Sequence, residues 1–386
     1  MDITPSTQEK SQSEQLSKEI REKISSNGGS IPFSSYMEMA LYHPQHGYYT
    51  TREYKIGPKG DFTTAPEISP LFGKTIAKAI LPCLQEIQKT TGVRPSILEF
   101  GAGTGALAKS ILEELQELEA QVDSYQILDL SGDLVSQQKE CLQESPYPVH
   151  WLDGLPKKFH GVIIANEVID AMPVDLVQYH DGSWYDLHVF ADEKNFFLQR
   201  KSLSTIGFLP ESLNATPKTE GYTTEINSNA QYWIKSLYDI IEAGAVLLID
   251  YGFPAHEYYH PQRSQGTLIG HYRHHTIQDP FFYPGICDLT THVNWTDIAK
   301  HAIESGFNLW GYTNQAAYLM DAGLMDLMLT LSNPQNTVEF MQLSNQAQKL
   351  LSEAEMGELF KVMLLGKGLD FSEGELPGFR GRPRSL

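Results

Sequence analysis

The 386-residue chain holds only three cysteines, Cys83, Cys141 and Cys287, far apart and with no Cys-x-x-Cys pair. That spacing argues against a disulfide framework and a thiolate zinc site and fits a reducing compartment. No apolar run reaches the roughly 18 residues that a bilayer span requires, so no membrane insertion is expected. Positive charge is scarce too: 29 Lys and Arg stand against 48 Asp and Glu, a formal net charge of -19. That sign disfavours nucleic acid and anionic membrane as partners and favours a basic ligand or a basic protein segment. The N-terminal MDITPSTQEKSQSEQLSKE lacks an apolar core and carries Glu9, Glu14 and Glu19. It does not read as a secretory or transit peptide, and a cytoplasmic protein is expected.

What is present is 41% hydrophobic and 20% charged residues, the composition of an ordinary folded chain. The first 15 or so residues read as frayed, and Leu16, Ile20 and Ile24 then have the spacing of a docked helix over 15–24. Residues 30–73 mix aromatics with turn residues and read as an ordered irregular segment that lines a site or, equally, packs as a belt over a hydrophobic core. An α/β rhythm follows, with a helix over 71–91, strand SILEF ending at Phe100, a helix over 106–119 and a strand over 125–130. A helix over 134–142, a short strand over 149–151 and a buried strand over 161–165 continue it, which predicts a parallel doubly wound sheet. After Pro173 the pattern turns to hairpins broken at Asp181-Gly182 and Asp192-Glu193, read as an insertion. A helix over 230–242 and a strand over 245–250 resume the core. A His-, Tyr- and Pro-rich stretch over 251–294 reads as a long functional loop. The helix WTDIAKHAIESGF, strand NLWGY, two helical segments and strand FKVMLLG complete the chain, and Arg380, Arg382 and Arg384 form a solvated tail. The divisions expected are 1–75, 76–174, 175–229, 230–252, 253–296 and 297–386.

The sharpest motif is SILEFGAGTGALA, where Gly101, Gly103 and Gly105 lie between an apolar strand and a helix start. Glycines there admit unusual backbone angles and let a ligand approach main-chain N–H groups. Asp129 ends the next strand 24 residues after Gly105, where a carboxylate accepts from ribose hydroxyls. A nucleoside-containing cofactor is the reading. Gly101, Gly103 and Ala106 also satisfy the dinucleotide pattern, so NAD stays open, while Glu99 beneath the turn favours the cationic S-adenosylmethionine.

GDFTTAPEISPLFG, LEFGAGTGALA, ANEVIDAMPV, GTLIGHYRHH and PGICDLTTHVNW, in that order, resemble the motifs of MidA-like methyltransferases, bacterial relatives of the mitochondrial complex I assembly factor that methylates arginine. The resemblance runs from about Ile31 to the C-terminus. It implies an α/β fold: a Rossmann-like doubly wound methyltransferase sheet with an inserted α+β substrate-binding region and an N-terminal helical and irregular extension. It also implies S-adenosylmethionine as cofactor and symmetric dimethylation of arginine in a protein partner, extending to a respiratory complex I-type subunit. The chain departs from the family at Asp129, commonly Glu, and at Asn294, commonly Asp.

Methyl transfer needs an aligned nucleophile in a water-poor pocket, and a guanidinium is best held by carboxylates. Glu167 and Asp170, after the fourth strand, are the expected guanidinium anchors, and Asn166 beside them is expected on the cofactor. NEVI lacks the Pro-Pro-aromatic platform of base methyltransferases, which disfavours a base substrate. Glu67 is a further carboxylate over the site, or equally the start of a helix, with Thr63 and Thr64 bonding the cofactor. Asp288, Thr290 and His292 alternate along a strand, with His292 as a proton relay or a structural histidine. His271, His274 and His275 have ligand-like spacing on a helix but no third ligand, so no metal is expected. Tyr272, Phe281, Phe282 and Tyr283 wall a channel or pack as core. A methyltransferase of small molecules or other side chains, and a cofactor-binding assembly factor with little turnover, stay open.

Overall fold

The computed structural model describes residues 4–51, 63–203, 209–214, 218–332, 336–372, 374–381 and 384–386. Gly60 and Asp61 of the GDFTTAPE segment and Arg382 of the basic tail lie outside them. The described residues fall into two units, each drawn from three segments. One comprises Thr63–Val168, Ile234–Gly252 and Ala299–Leu386; the other lies within Met1–Phe62, Ile169–Trp233 and Phe253–Ile298.

The first unit is α/β. Its strands are β1 (Ser96–Phe100), β2 (Tyr125–Leu128), β3 (Val149–Trp151), β4 (Phe159–Asn166), β5 (Ile241–Phe253), β6 (Asn308–Asn314) and β7 (Phe360–Lys367). They lie in the order β3-β2-β1-β4-β5-β7-β6. Strands β1 to β5 pair in parallel, whereas β7 runs antiparallel to both β5 and β6. Every residue of β1 is buried, as the unbroken apolar run of a strand covered on both faces requires. The Rossmann-like doubly wound expectation holds for β1 to β5, and the closing antiparallel strand is what the parallel rhythm did not foretell.

Helices α1 (Pro70–Thr91), α2 (Ala106–Glu117) and α3 (Gly132–Cys141) flank the sheet. Ser69 caps α1 by accepting from Leu71 N at 3.3 Å, and Gly92 ends it at φ 72°. Helices α1 and α2 approach closely because position 73 has no side chain: a Cβ there would lie 2.6 Å from Ser110 Cβ. One turn away Lys74 Nζ donates to Glu114 Oε2 at 3.2 Å, and both residues are buried. Ile76, Ile80 and Leu84 of α1 join Ile97, Leu107, Ile111, Val162 and Leu247 in the core. Three described helices, Gln315–Asp321, Leu324–Leu331 and Thr337–Leu351, replace the two expected before β7, because Gly323 at φ 95° opens a separate one.

The second unit begins with helix Thr7–Ser26, which starts well before the expected position. The polar opening is not frayed through residue 15: the Ser6 side chain accepts from Glu9 N while Glu9 Oε2 accepts from Ser6 N, a capping box. Leu16, Ile20 and Ile24 pack with Phe33, Tyr36, Met37 and Val189. An antiparallel sheet follows the order Ile31–Pro32, Ser183–Ala191, Asp175–His180, Thr223–Ile226, with Phe196–Ser202 also on Ser183–Ala191. Asp181 and Gly182, at φ 46° and 79°, make the tight turn of the expected hairpin.

The stretch read as one long loop contains a further sheet, His275–Ile277, Ile269–Tyr272 and Asp288–Thr290 in that order. GHYRHH is thus a hairpin whose turn, Arg273 and His274, has φ of 48° and 61°, and the helix that would have aligned its histidines does not form. No described helix is long and apolar enough to cross a membrane.

Gly73→Ala is expected to lower stability by about 1–3 kcal/mol through overpacking against Ser110. In a Ser110→Gly background the same substitution should cost markedly less; equal cost in both, by urea denaturation, would exclude this contact as the cause. Ser6→Ala should speed amide exchange in the first turns of Thr7–Ser26 about fivefold, the loss of about 1 kcal/mol of capping.

Candidate cofactor and catalytic site

Strands β1 and β4 are neighbours whose chains lead away in opposite directions across the sheet, β1 to β2 and β4 to β5. The carboxyl ends of such a pair border a crevice that receives ligands. Phe100 pairs with Ala165, so Gly101 and Asn166 leave the sheet side by side.

The turn after β1 puts Gly101, Gly103 and Gly105 at φ 61°, 55° and 89°. Side chains are strained there, which is why glycine recurs at every second position. Gly101 N donates to Leu128 O at 3.0 Å, tying the turn to the end of β2 immediately before Asp129. Helix α2 starts at Ala106 with no side-chain cap, leaving its first N–H groups to be satisfied from outside the helix.

Behind the turn Glu99 is 2% exposed and accepts from Tyr125 Oη at 2.8 Å. Burial pushes its carboxyl up to about 8, against the lowering effect of the Tyr125 bond, so it keeps its proton through most of the neutral range. On another side Thr104, inside the turn, donates its hydroxyl to Glu67 Oε1. Glu67 lies on the short helix Ala65–Ile68, opened by Thr64, while Thr63 is exposed. From below, Gln138 of α3 donates to Gly103 O at 2.9 Å and to Asp129 Oδ2 at 2.8 Å. Asp129 Oδ1 accepts from Ser131 N at 2.9 Å.

Across the crevice Asn166 Nδ2 donates to Glu167 Oε1 at 3.2 Å, and Asn166 Oδ1 is buried with no hydrogen-bond donor among the described residues. Glu167 has φ 53°, an unusual conformation for glutamate, held by its N–H on Ile249 O at 2.9 Å. An unfilled buried acceptor at Asn166 Oδ1 suits a ligand that carries its own N–H donors and positive charge. S-adenosylmethionine, with an ammonium and a sulfonium, fits these residues.

Asp170 and His292 belong to the other unit. Asp170 is 5% exposed and its backbone oxygen accepts from Thr291 N at 2.9 Å. Asp170 and Asp288 both lie near enough to Tyr42 and Tyr49 to add to the effect of burial in holding those phenols protonated. Strand Asp288–Thr290 ends before His292, so the expected shared face covers only the first two of the three alternating residues. His292 instead rests against Phe253, ring centroids 5.2 Å apart, and its backbone N–H donates to Thr267 Oγ1 at 3.0 Å. Asn294 caps helix Trp295–Ser305, accepting from Asp297 N at 3.3 Å and donating to Asp297 Oδ2 at 2.8 Å. An amide does there what a carboxylate could do only in part. Tyr272 is fully buried and packs on Phe282.

Sequence reading did not single out Tyr125, Thr104, Ser131 or Gln138 for the site. The available signal was a polar residue on an apolar helical face: Gln138 follows Leu134 by one turn, and both are buried.

A family model described as "Putative S-adenosyl-L-methionine-dependent methyltransferase" matches residues 75–313. The chain is similar to the protein arginine methyltransferase NDUFAF7, mitochondrial, of Danio rerio, 26% identical over 361 residues, 86% of this chain and 82% of the relative. It is similarly related to the protein of that name in Homo sapiens, 26% identical over 375 residues, 89% and 81% of the two chains. Among solved structures it resembles a Burkholderia thailandensis protein bound to S-adenosyl-homocysteine, with TM-score 0.91, 41% identity and coverage of 99% of this chain and 98% of that one.

Glu99 titrates at an ordinary value of 4.5 when exposed and near 8 when folded. The folded chain then keeps a proton that the unfolded chain releases, so stability falls as pH rises through that window, by at most about 1.4 kcal/mol per pH unit. Glu99→Gln is expected to flatten this fall in denaturation curves taken between about pH 5 and pH 8; a variant slope equal to that of the native chain would assign the proton elsewhere.

Proposed function

The chain belongs to this family of S-adenosyl-L-methionine-dependent methyltransferases, and we propose that it transfers the methyl group to a guanidinium nitrogen of a protein arginine, carrying the product to the symmetric dimethyl form. The observation behind this reading is the similarity, over more than four-fifths of their length, to relatives named as protein arginine methyltransferases. The net charge of -19 agrees with a basic acceptor.

When bound, S-adenosylmethionine supplies an electrophilic methyl on a cationic sulfur. In this reading the turn of Gly101, Gly103 and Gly105, with no side chains in the way, lets its amino-acid end approach the backbone, Asn166 Oδ1 accepts from its ammonium and Asp129 takes the ribose hydroxyls. Glu99 supports the turn from beneath, and Thr63 and Thr64 border the adjoining segment. The bond from Thr104 gives Glu67 a part in ordering the turn. Glu167 is assigned to the guanidinium: a planar cation matched by a carboxylate keeps its charge away from the attacking nitrogen. The strained backbone of Glu167, at the end of β4, supports a site role for its side chain.

The test is incubation with methyl-labelled cofactor and protein acceptors, followed by acid hydrolysis. Label is expected in methylarginine, and Gly103→Arg, which forces a bulky residue into positive φ, should abolish it together with cofactor binding. Glu167→Gln should lower kcat by about a hundredfold or more while changing cofactor affinity by less than about threefold. Label confined to lysine, to another side chain or to small molecules would overturn the arginine reading.

A further inference from the structure

Gln138 is fully buried in α3 and lies outside every sequence motif of the site. Its side chain makes three hydrogen bonds. Nε2 donates to Gly103 O at 2.9 Å and to Asp129 Oδ2 at 2.8 Å, and Oε1 accepts from Trp151 Nε1 at 2.9 Å. An indole N–H only donates, so Trp151 on β3 determines which end of the amide is oxygen and turns both Nε2 hydrogens toward the turn and the carboxylate. The donor capacity of the amide is thereby used in full. A leucine would fill the same volume but strand a carbonyl, a carboxylate oxygen and an indole N–H in a partly buried place.

From this geometry we propose that Gln138 is a positioning residue for the cofactor, fastening the glycine turn and Asp129 to each other in one arrangement. The consequence at Asp129 is specific. Oδ1 is held by Ser131 N and Oδ2 by Gln138, so the carboxylate plane is set and each oxygen keeps a lone pair facing outward. Two outward acceptors on one rigid carboxylate match the two adjacent hydroxyls of an unmodified ribose. The same side chain holds the Gly103 carbonyl, so the spacing between the ribose end and the amino-acid end of the site depends on it. Helix α3 also backs the turn at Gly105, where a Cβ would lie 3.4 Å from Gln138 Cα. This inference rests on the reading that Asp129 takes the ribose hydroxyls, and its test separates the two.

In the full chain without ligand, Gln138→Leu is expected to raise amide exchange at 103–105 at least about fivefold while exchange in the β5 core stays unchanged. That arm reports the fastening alone, whatever Asp129 binds. The dissociation constant for S-adenosylhomocysteine should rise at least about tenfold in the same variant. In an Asp129→Asn background it should rise by much less, since part of the effect acts through Asp129. Gln138→Glu guards against a leucine variant that does not fold. Its carboxylate would face the Asp129 carboxylate and the Gly103 carbonyl, weakening binding at pH 8 and recovering as pH falls and the new acid takes up the proton it needs to donate. A merely structural glutamine would not produce that pH-linked recovery. Unchanged exchange at 103–105 in Gln138→Leu, or a Gln138→Glu variant whose affinity tracks the native chain at every pH, overturns the proposal. A full-sized loss in the Asp129→Asn background overturns the link to Asp129.

Discussion

Three glycines at positive φ within five residues make a turn that a single backbone bond of its own, Gly105 N to Ala102 O at 2.8 Å, does not fix, and the site depends on the groups that hold it from outside. Leu128 O takes the Gly101 amide, Gln138 takes the Gly103 carbonyl and Glu67 takes the Thr104 hydroxyl. These partners come from β2, α3 and the short helix before α1, three places separated in sequence from the turn and from one another. The turn is therefore a tertiary object built on a local permission: glycine makes the conformation accessible, and the neighbours choose it from the many that glycine allows. That choice matters for methyl transfer, because alignment of the nucleophile with the sulfonium methyl supplies much of the rate.

Acidic side chains recur throughout this strongly negative chain, and their surroundings give them different duties. Glu99 is sealed beneath the turn with one phenol as donor, and burial raises its pKa enough to keep it protonated near neutrality. Asp129 sits at the crevice with a backbone and an amide donor, an acceptor oriented outward. Glu225, in the other unit, is buried and accepts from Thr267 N at 2.6 Å, Leu268 N at 2.7 Å and Tyr258 Oη at 3.0 Å. It anchors the start of GTLIGHYRHH, and Gly266 has no side chain because a Cβ there would meet Glu225 Oε1 at 2.2 Å. Composition counts all three as charge, whereas burial and donor number decide whether a carboxyl serves as a neutral support, an oriented acceptor or a structural anchor.

Strand periodicity and turn residues were enough to read β1 to β4, the helices between them and the hairpin at Asp181-Gly182, since each reflects a pattern within a dozen residues. The order of β6 and β7 was not legible: an antiparallel strand inserted between β5 and β6 has the same apolar pattern as a parallel one. The Thr7–Ser26 helix start was legible in retrospect, because Ser6 and Glu9 have capping-box spacing. The hairpin of GHYRHH was hidden, because nothing in Arg273-His274 announces positive φ as Asp-Gly does.

By itself the sequence determined that a glycine turn follows a buried strand, that an acid ends the next one, and that Asn166 and Glu167 leave a strand at the carboxyl edge of the sheet. Those are statements about which backbone conformations and which faces are available, and local chemistry settles them. Only the tertiary structure decided that Glu67 reaches Thr104, that Glu99 is sealed with Tyr125 and that Gln138 joins Gly103 to Asp129. The physical reason is that a hydrogen bond requires its partners within about 3 Å, and residues 9, 26, 35 and 37 positions apart come that close only when the sheet order brings their strands and helices together.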